Sequence, residues 1–186
     1  MELKVAEYSD YQRIAQLHVK SWEKHYQGIL GKDYLENEAL DDRQVIWQTR
    51  LTNPPYNQHV LMLEDNGVLC GFVCAFGNHD FERGTIIDAL HVDDACRGRG
   101  LGARLLEEIA KWIEQYFPDT GVYLEVLKEN VQAIEFYEHI DGENEVERLW
   151  NAPCGNQLPE LVFTWRSATD LRKALESHRK CSVETD

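Results

Sequence analysis

Two hydrophobic periods alternate along the chain, and the changes between them mark its elements. Residues 2–8 read as a strand running from the edge of a sheet toward its centre. Ser9-Asp10 then forms a capping pair for a helix on Tyr11, Ile14, Leu17, His18, Ser21 and Trp22, which Gly28 and Gly31 break. A second helical region runs through Tyr34, Leu35 and Leu40 to Val45, Ile46, Trp47 and Leu51, and stops before Asn53-Pro54-Pro55. His59 to Glu64, the turn Asp65-Asn66-Gly67 and Val68 to Phe76 predict a hairpin. Gly77 to Gly84 reads as a polar connection into a β-prone run from Thr85 to Val92. Leu101, Leu105, Ile109, Trp112, Ile113 and Tyr116 return to helical spacing. Val122 to Val126 predicts a strand, Asn130 to Tyr137 a short helix, and Glu145 to Trp150 and Glu160 to Trp165 two late strands. A surface helix over Ala168 to His178 and a frayed tail from Arg179 to Asp186 complete the pattern.

That order predicts an α/β chain (α+β mixed) with helices packed on a sheet. With 186 residues and no repeat or linker, it reads as one domain over 1–166, with 167–186 as a C-terminal helix and tail extension. A hydrophobic fraction of 43% and a charged fraction of 28% fit a globular protein. No apolar stretch is long enough to cross a bilayer, and Met1 to Glu7 lacks the basic and apolar regions of a signal peptide, so a cytoplasmic location is expected. The five cysteines (70, 74, 96, 154 and 181) include no C-x-x-C pair; reduced core thiols are expected, with no metal site. Nineteen Lys and Arg against 33 Asp and Glu give a net charge of −14, which argues against nucleic acid or an anionic membrane as partner. The excess acid suits a cationic acceptor, or solubility alone.

The chemistry concentrates in Cys96-Arg97-Gly98-Arg99-Gly100-Leu101-Gly102, at the turn from the strand ending near Val92 to the helix opening at Leu101. Glycines let backbone approach a ligand closely, and the free amides and dipole of a helix start favour an anion. Arg97, Arg99 and Arg104 add positive charge. The spacing fits neither G-x-G-x-x-G nor G-x-x-x-x-G-K-[ST], which excludes a dinucleotide fingerprint and a P-loop.

The remaining pattern, Arg97-x-x-Gly100-x-Gly102, resembles the acetyl-CoA signature R/Q-x-x-G-x-G/A of the GNAT (GCN5-related N-acetyltransferase) family. Leu124, Val126, Asn130, Ala133, Phe136 and Tyr137 match that family's later motif, L-x-V-x-x-x-N-x-x-A-x-x-F-Y. The likeness covers nearly the whole chain and is tightest from Asp88 to Tyr137. It implies the GNAT fold, a mostly antiparallel mixed sheet of about seven strands flanked by helices. It implies acetyl-CoA as co-substrate, wrapped at its pyrophosphate by Arg97, Gly98, Arg99, Gly100, Leu101 and Gly102, with pantetheine on the strand edge at Leu90 and Val92. The Leu90 amide becomes the oxyanion donor and Tyr137 the proton donor to the leaving thiolate, or else a packing residue.

Asp88, two residues before Leu90, is the candidate base; the alternative is a carboxylate that hydrogen-bonds a neighbouring element or orients the acceptor. Asn130 is a CoA contact or a helix cap. In a regular strand His91 points away from Asp88, a bulge would change this, and His91 reads as a packed or surface residue more than as a base. Trp22, Tyr26 and Tyr34 line the acceptor pocket or belong to the core. The chain departs from the family pattern at Asp93-Asp94, where proline is common. It departs again at Glu138 to Glu143, where x-x-x-G-F is usual. The implied activity is acetyl transfer to a primary amine on a small acceptor such as an amino-acid-like metabolite. A protein N-terminus or lysine is the alternative acceptor, and a non-catalytic acyl-CoA sensor the alternative class; a homodimer is compatible with all three.

Overall fold

Asn66 and Gly67 take left-handed φ values of 52° and 82°, the pair of positive φ angles that a two-residue I′ turn requires. The turn joins β2 (Gln58–Asp65) to β3 (Val68–Asp80) in the expected hairpin. In the computed structural model, which describes residues 1–183, these strands belong to a seven-stranded sheet ordered β1-β2-β3-β4-β5-β7-β6. The others are β1 (Glu2–Val5), β4 (Gly84–Val92), β5 (Val122–Leu127), β6 (Glu143–Asn151) and β7 (Gln157–Trp165). Only β4 and β5 run parallel, and the helical crossover between them supplies the length that a parallel pair needs. The helices are α1 (Tyr11–His25), α2 (Ala39–Thr52), α3 (Leu101–Tyr116), α4 (Val131–His139) and α5 (Ala168–Val183).

Two apolar layers hold the sheet. On one face Leu105, Ile109 and Ile113 of α3 pack over Leu63, Val73, Val126 and Phe163. On the other, Ile14 and Leu17 of α1 and Trp47 of α2 pack over Met62, Phe72 and Cys74. Alternate side chains of each central strand therefore enter different layers, as a period of two dictates.

Several expectations change. The first strand is shorter than residues 2–8 and lies at the sheet edge. Gly77 to Asp80 continues β3, and the chain reverses over Phe81 to Arg83. Gly84 re-enters the sheet at φ 85°, where an added Cβ would lie 2.4 Å from the Gly121 carbonyl. The helix expected on the surface after Ser167 instead supplies Ala168, Leu171, Ala174 and Leu175 to the α3 layer, with Arg172 paired to Glu114. It extends beyond His178 to Val183; the rest of the expected tail, residues 184–186, lies outside the described residues, as does the Cys181 side chain.

Candidate active site

β4 and β5 pair only at Thr85 with Val122, Ile86 with Tyr123 and Ile87 with Leu124. Beyond these pairs the strands part and open a cleft of about 940 Å³, reached by Asp88 to Val92 from one wall and Leu124 to Leu127 from the other. The parting coincides with a bulge: Cys74 of β3 faces Ala89 and Ala75 faces Ile87, so Asp88 is the extra residue in β4. The bulge reverses the alternation. Ile87, Leu90 and Val92 pack on the α3 side, whereas Ala89 packs on the α1 and α2 side, where His91 also meets Phe72 and His18. Asp88 binds Arg50 of α2 on that same side, so the bulge replaces the regular alternation under which Asp88 and His91 would point apart.

At the α3 end of the cleft, Gly98 and Gly100 hold φ values of 73° and 66°. A Cβ at either would meet nothing within 4 Å, so the space before the loop is open and the constraint is conformational. Gly100 caps α3, and its carbonyl receives the Arg104 amide at 3.0 Å; the amides before Arg104 in this first turn have no intrahelical acceptor. The arginines contribute less free charge than the sequence implies. Arg97 pairs with Asp94 at 2.6 Å and contacts Gln132 at 3.1 Å and His25 at 2.5 Å, while Arg99 pairs with Asp65 at 3.0 Å. The Arg104 side chain lines the cleft with no ion pair among the described residues. Leu101 is buried beneath the loop, and Gly102 lies 3.9 Å from Val92 when given a Cβ.

Tyr137 reaches the cleft from α4, with its ring among Phe136, Phe163 and Trp165. Its hydroxyl makes no hydrogen bond with any described residue, and burial holds the phenol well above its ordinary pKa. Asn130 caps α4 by accepting from the Ala133 amide at 3.3 Å, and its amide nitrogen lies 3.5 Å from the Tyr26 hydroxyl. Both residues line the cleft, as does Trp22. Tyr34 does not: it is buried away from the cleft, donating to Asp42 at 2.5 Å, so its expected place in the acceptor pocket is withdrawn. The sequence put Tyr34 in a helical region, and a π turn over Tyr34–Glu38 leads into α2.

Glu125 is a cleft residue that sequence reasoning passed over. It alternates with Leu124 and Val126, so it leaves the core and joins Asp88 on the acceptor side. Burial raises its carboxyl above the usual value, the charges of Glu160 and Asp88 push the same way, and Arg148, paired to both glutamates, opposes. The polar residue inside Leu124-Glu125-Val126 was the available signal. Nearby, His91 contacts Ser21 at 2.9 Å and His18 accepts from the Trp47 indole at 3.2 Å. Burial depresses both imidazoles, His91 to about 3, so both are neutral at ordinary pH.

Cys70 and Cys96 are buried free thiols with sulfurs 2.7 Å apart, and Cys74 is buried in the opposite layer. Among the described residues no group of three or more His, Cys, Asp or Glu is arranged to hold a metal, and no helix is long and apolar enough to cross a membrane.

The comparisons agree with this geometry. A GCN5-related N-acetyltransferase structure from Rhodopseudomonas palustris superposes with a TM-score of 0.71 at 20% identity, over 89% of this chain and 94% of that one. PaiA N-acetyltransferase from Thermoplasma acidophilum, in complex with coenzyme A, gives 0.64 at 16% identity, over 86% and 98%. A spermidine N-acetyltransferase mutant from Vibrio cholerae gives 0.65 at 17% identity, over 94% and 99%. These likenesses establish the fold. No curated protein sequence matches the chain. The model of the acetyltransferase (GNAT) family matches residues 11–142, well over half the chain and spanning both walls of the cleft, and the chain therefore belongs to the GNAT acetyltransferase family.

Proposed function

We propose that the protein transfers acetyl from acetyl-CoA to a primary amine of a small acceptor by direct attack in a ternary complex. The observation that carries this reading is the parting of β4 and β5 beyond Ile87 and Leu124, with a glycine loop at one end and an unengaged phenol inside. Open left-handed glycines and helix-start amides fit a pyrophosphate. The freed backbone edge at Leu90 and Val92 fits the amides of pantetheine, and the Leu90 N–H is aligned by that role with the developing oxyanion.

The acceptor enters from the α1 and α2 side, past Trp22 and Tyr26. Its ammonium first loses a proton, to Glu125 or to Asp88. Each carboxylate has an arginine partner, Arg148 for Glu125 and Arg50 for Asp88, and Glu125 is the better base because burial and the neighbouring charges of Glu160 and Asp88 give it greater proton affinity. The neutral nitrogen then forms the N–C bond, the thioester C–S bond breaks, the thiolate takes the Tyr137 hydroxyl proton, and the proton shed by the acetylated nitrogen restores the Tyr137 phenol. Charge buried with the thiolate raises its proton affinity too, which offsets the high pKa of the phenol.

Calorimetry with acetyl-CoA, followed by thiol release across a panel of amines, tests the proposal. Binding with amine-dependent thiol release is expected; no binding by the folded protein refutes it, and binding without turnover of any amine or peptide leaves a sensor.

A further inference from the structure

α2 presents two arginines to the acceptor side of the cleft, and their partners differ. Arg43 and Arg50 are seven residues apart, two helical turns, which places them on one face about 10 Å apart along the axis. Both line the cleft and both lie over aromatic rings: Arg43 at 4.7 Å from Trp22, Arg50 at 5.1 Å from Trp47 and 5.2 Å from Phe76. Arg50 is matched by Asp88. Among the described residues Arg43 pairs only with Asp42, its neighbour in sequence, at 2.9 Å, and Asp42 also receives the Tyr34 hydroxyl. Its side chain is 13% exposed, and its Nε is buried with no acceptor.

A guanidinium that is largely desolvated and only partly paired is costly unless an anion joins it. The imidazoles of His18 and His91 supply no charge, because both are neutral and both are disfavoured as cations by Arg43 itself. Beside the parted strands the same space holds three carboxylates, Asp88, Glu125 and Glu160, against two paired cations, Arg50 and Arg148, which leaves an excess of acid there. The acceptor side is therefore dipolar, positive at Arg43 and negative beside the parted strands. A simple amine would satisfy the acidic pole and leave Arg43 with Asp42 as its one partial partner, and the second ammonium of a polyamine would be repelled there.

We infer that the acceptor is a free amino acid, held with its carboxylate on Arg43 and its amine between Asp88 and Glu125. The inference rests on the acetyltransferase reading and narrows its substrate class. The planar fork of arginine, stacked on Trp22, suits a carboxylate in a way a lysine ammonium does not.

The test compares free amino acids with their α-amides, with the corresponding decarboxylated amines and with spermidine, by thiol release from acetyl-CoA. The expected result is a kcat/KM for the best amino acid at least about tenfold above that of its amide and its decarboxylated amine. Arg43→Gln should abolish that preference through the acceptor KM, with acetyl-CoA affinity unchanged. Arg43→Lys, which keeps the charge and the stem, should recover it only in part, and guards against a glutamine variant that fails to fold.

Equal turnover of amides or amines, a preference for spermidine, or an undiminished preference in a folded Arg43 variant overturns the inference while leaving acetyl transfer intact. If acetyl-CoA binds and nothing in the panel turns over, calorimetry of the amino acids against the CoA-bound protein decides, and absence of binding overturns it. Failure to bind acetyl-CoA at all removes both readings together.

Discussion

Replacing Tyr137 by phenylalanine separates chemistry from packing, because the ring and the hydroxyl have different surroundings. The ring is held by Phe136, Phe163 and Trp165, and phenylalanine retains those contacts. The hydroxyl has no partner among the described residues, so its loss strands no buried group, and stability should change by less than about 1 kcal/mol. At reference values, donation from a phenol near pKa 10 to a thiolate near 8.5 is already uphill by roughly 2 kcal/mol, and burial of Tyr137 adds to this. Only a positioned donor beside a thiolate in the same dry cleft makes the step useful. Removing it should lower kcat about 10²-fold, equivalent to roughly 2.7 kcal/mol of barrier. Burial also keeps the phenol protonated, so Tyr137 should produce no falling limb in the wild-type rate until above about pH 10. Single-turnover thiol release at saturating acceptor, calorimetric acetyl-CoA affinity and thermal melts give the three quantities. A kcat within twofold of wild type would refute proton donation, and weaker acetyl-CoA binding at constant kcat would make Tyr137 a binding residue.

Glu125→Gln should remove or shift the rising limb of kcat/KM against pH, which in wild type lies above the ordinary carboxylate range because the base must be ionised and its pKa is raised; a profile unchanged in this variant but altered in Asp88→Asn returns the role to Asp88. Gly100→Val should cost about 1–2 kcal/mol of stability through its left-handed φ of 66° and weaken acetyl-CoA at least about tenfold by filling the open space before the loop; unchanged affinity in calorimetry would remove the loop from the site. Burial depresses His91 to about 3, so between that value and about 6.5 the unfolded chain binds the extra proton, and stability is complete above pH 6.5 and falls as pH drops through the window. The slope approaches about 1.4 kcal/mol per pH unit for this residue, and urea midpoints at several pH values should show it flattened in His91→Gln.

The sequence by itself determined what depends on near neighbours. Asn66-Gly67 specified its hairpin because both positions need positive φ, and Gly98 and Gly100 marked a loop that only glycine takes readily. Periodicity placed α3 with Leu105, Ile109 and Ile113 inward, and the motif ending at Tyr137 indicated a residue that does line the cleft. The tertiary structure decided whatever depends on distant partners. The bulge at Asp88 is a register shift against Cys74 and Ala75, and it reverses the face of every later residue in β4, so His91 could not be oriented from strand alternation. Glu125 owes its raised pKa partly to Glu160, 35 positions away in sequence. Arg97 and Arg99 read as free charge because Asp94 was not identified as the partner of one, or the distant Asp65 as that of the other. Tyr34 looked like its aromatic neighbours Trp22 and Tyr26 until the turn of chain into α2 carried it away from the cleft. Local backbone preference acts over a few residues and is written in their identities, whereas burial, register and charge pairing are properties of the assembled sheet and helices.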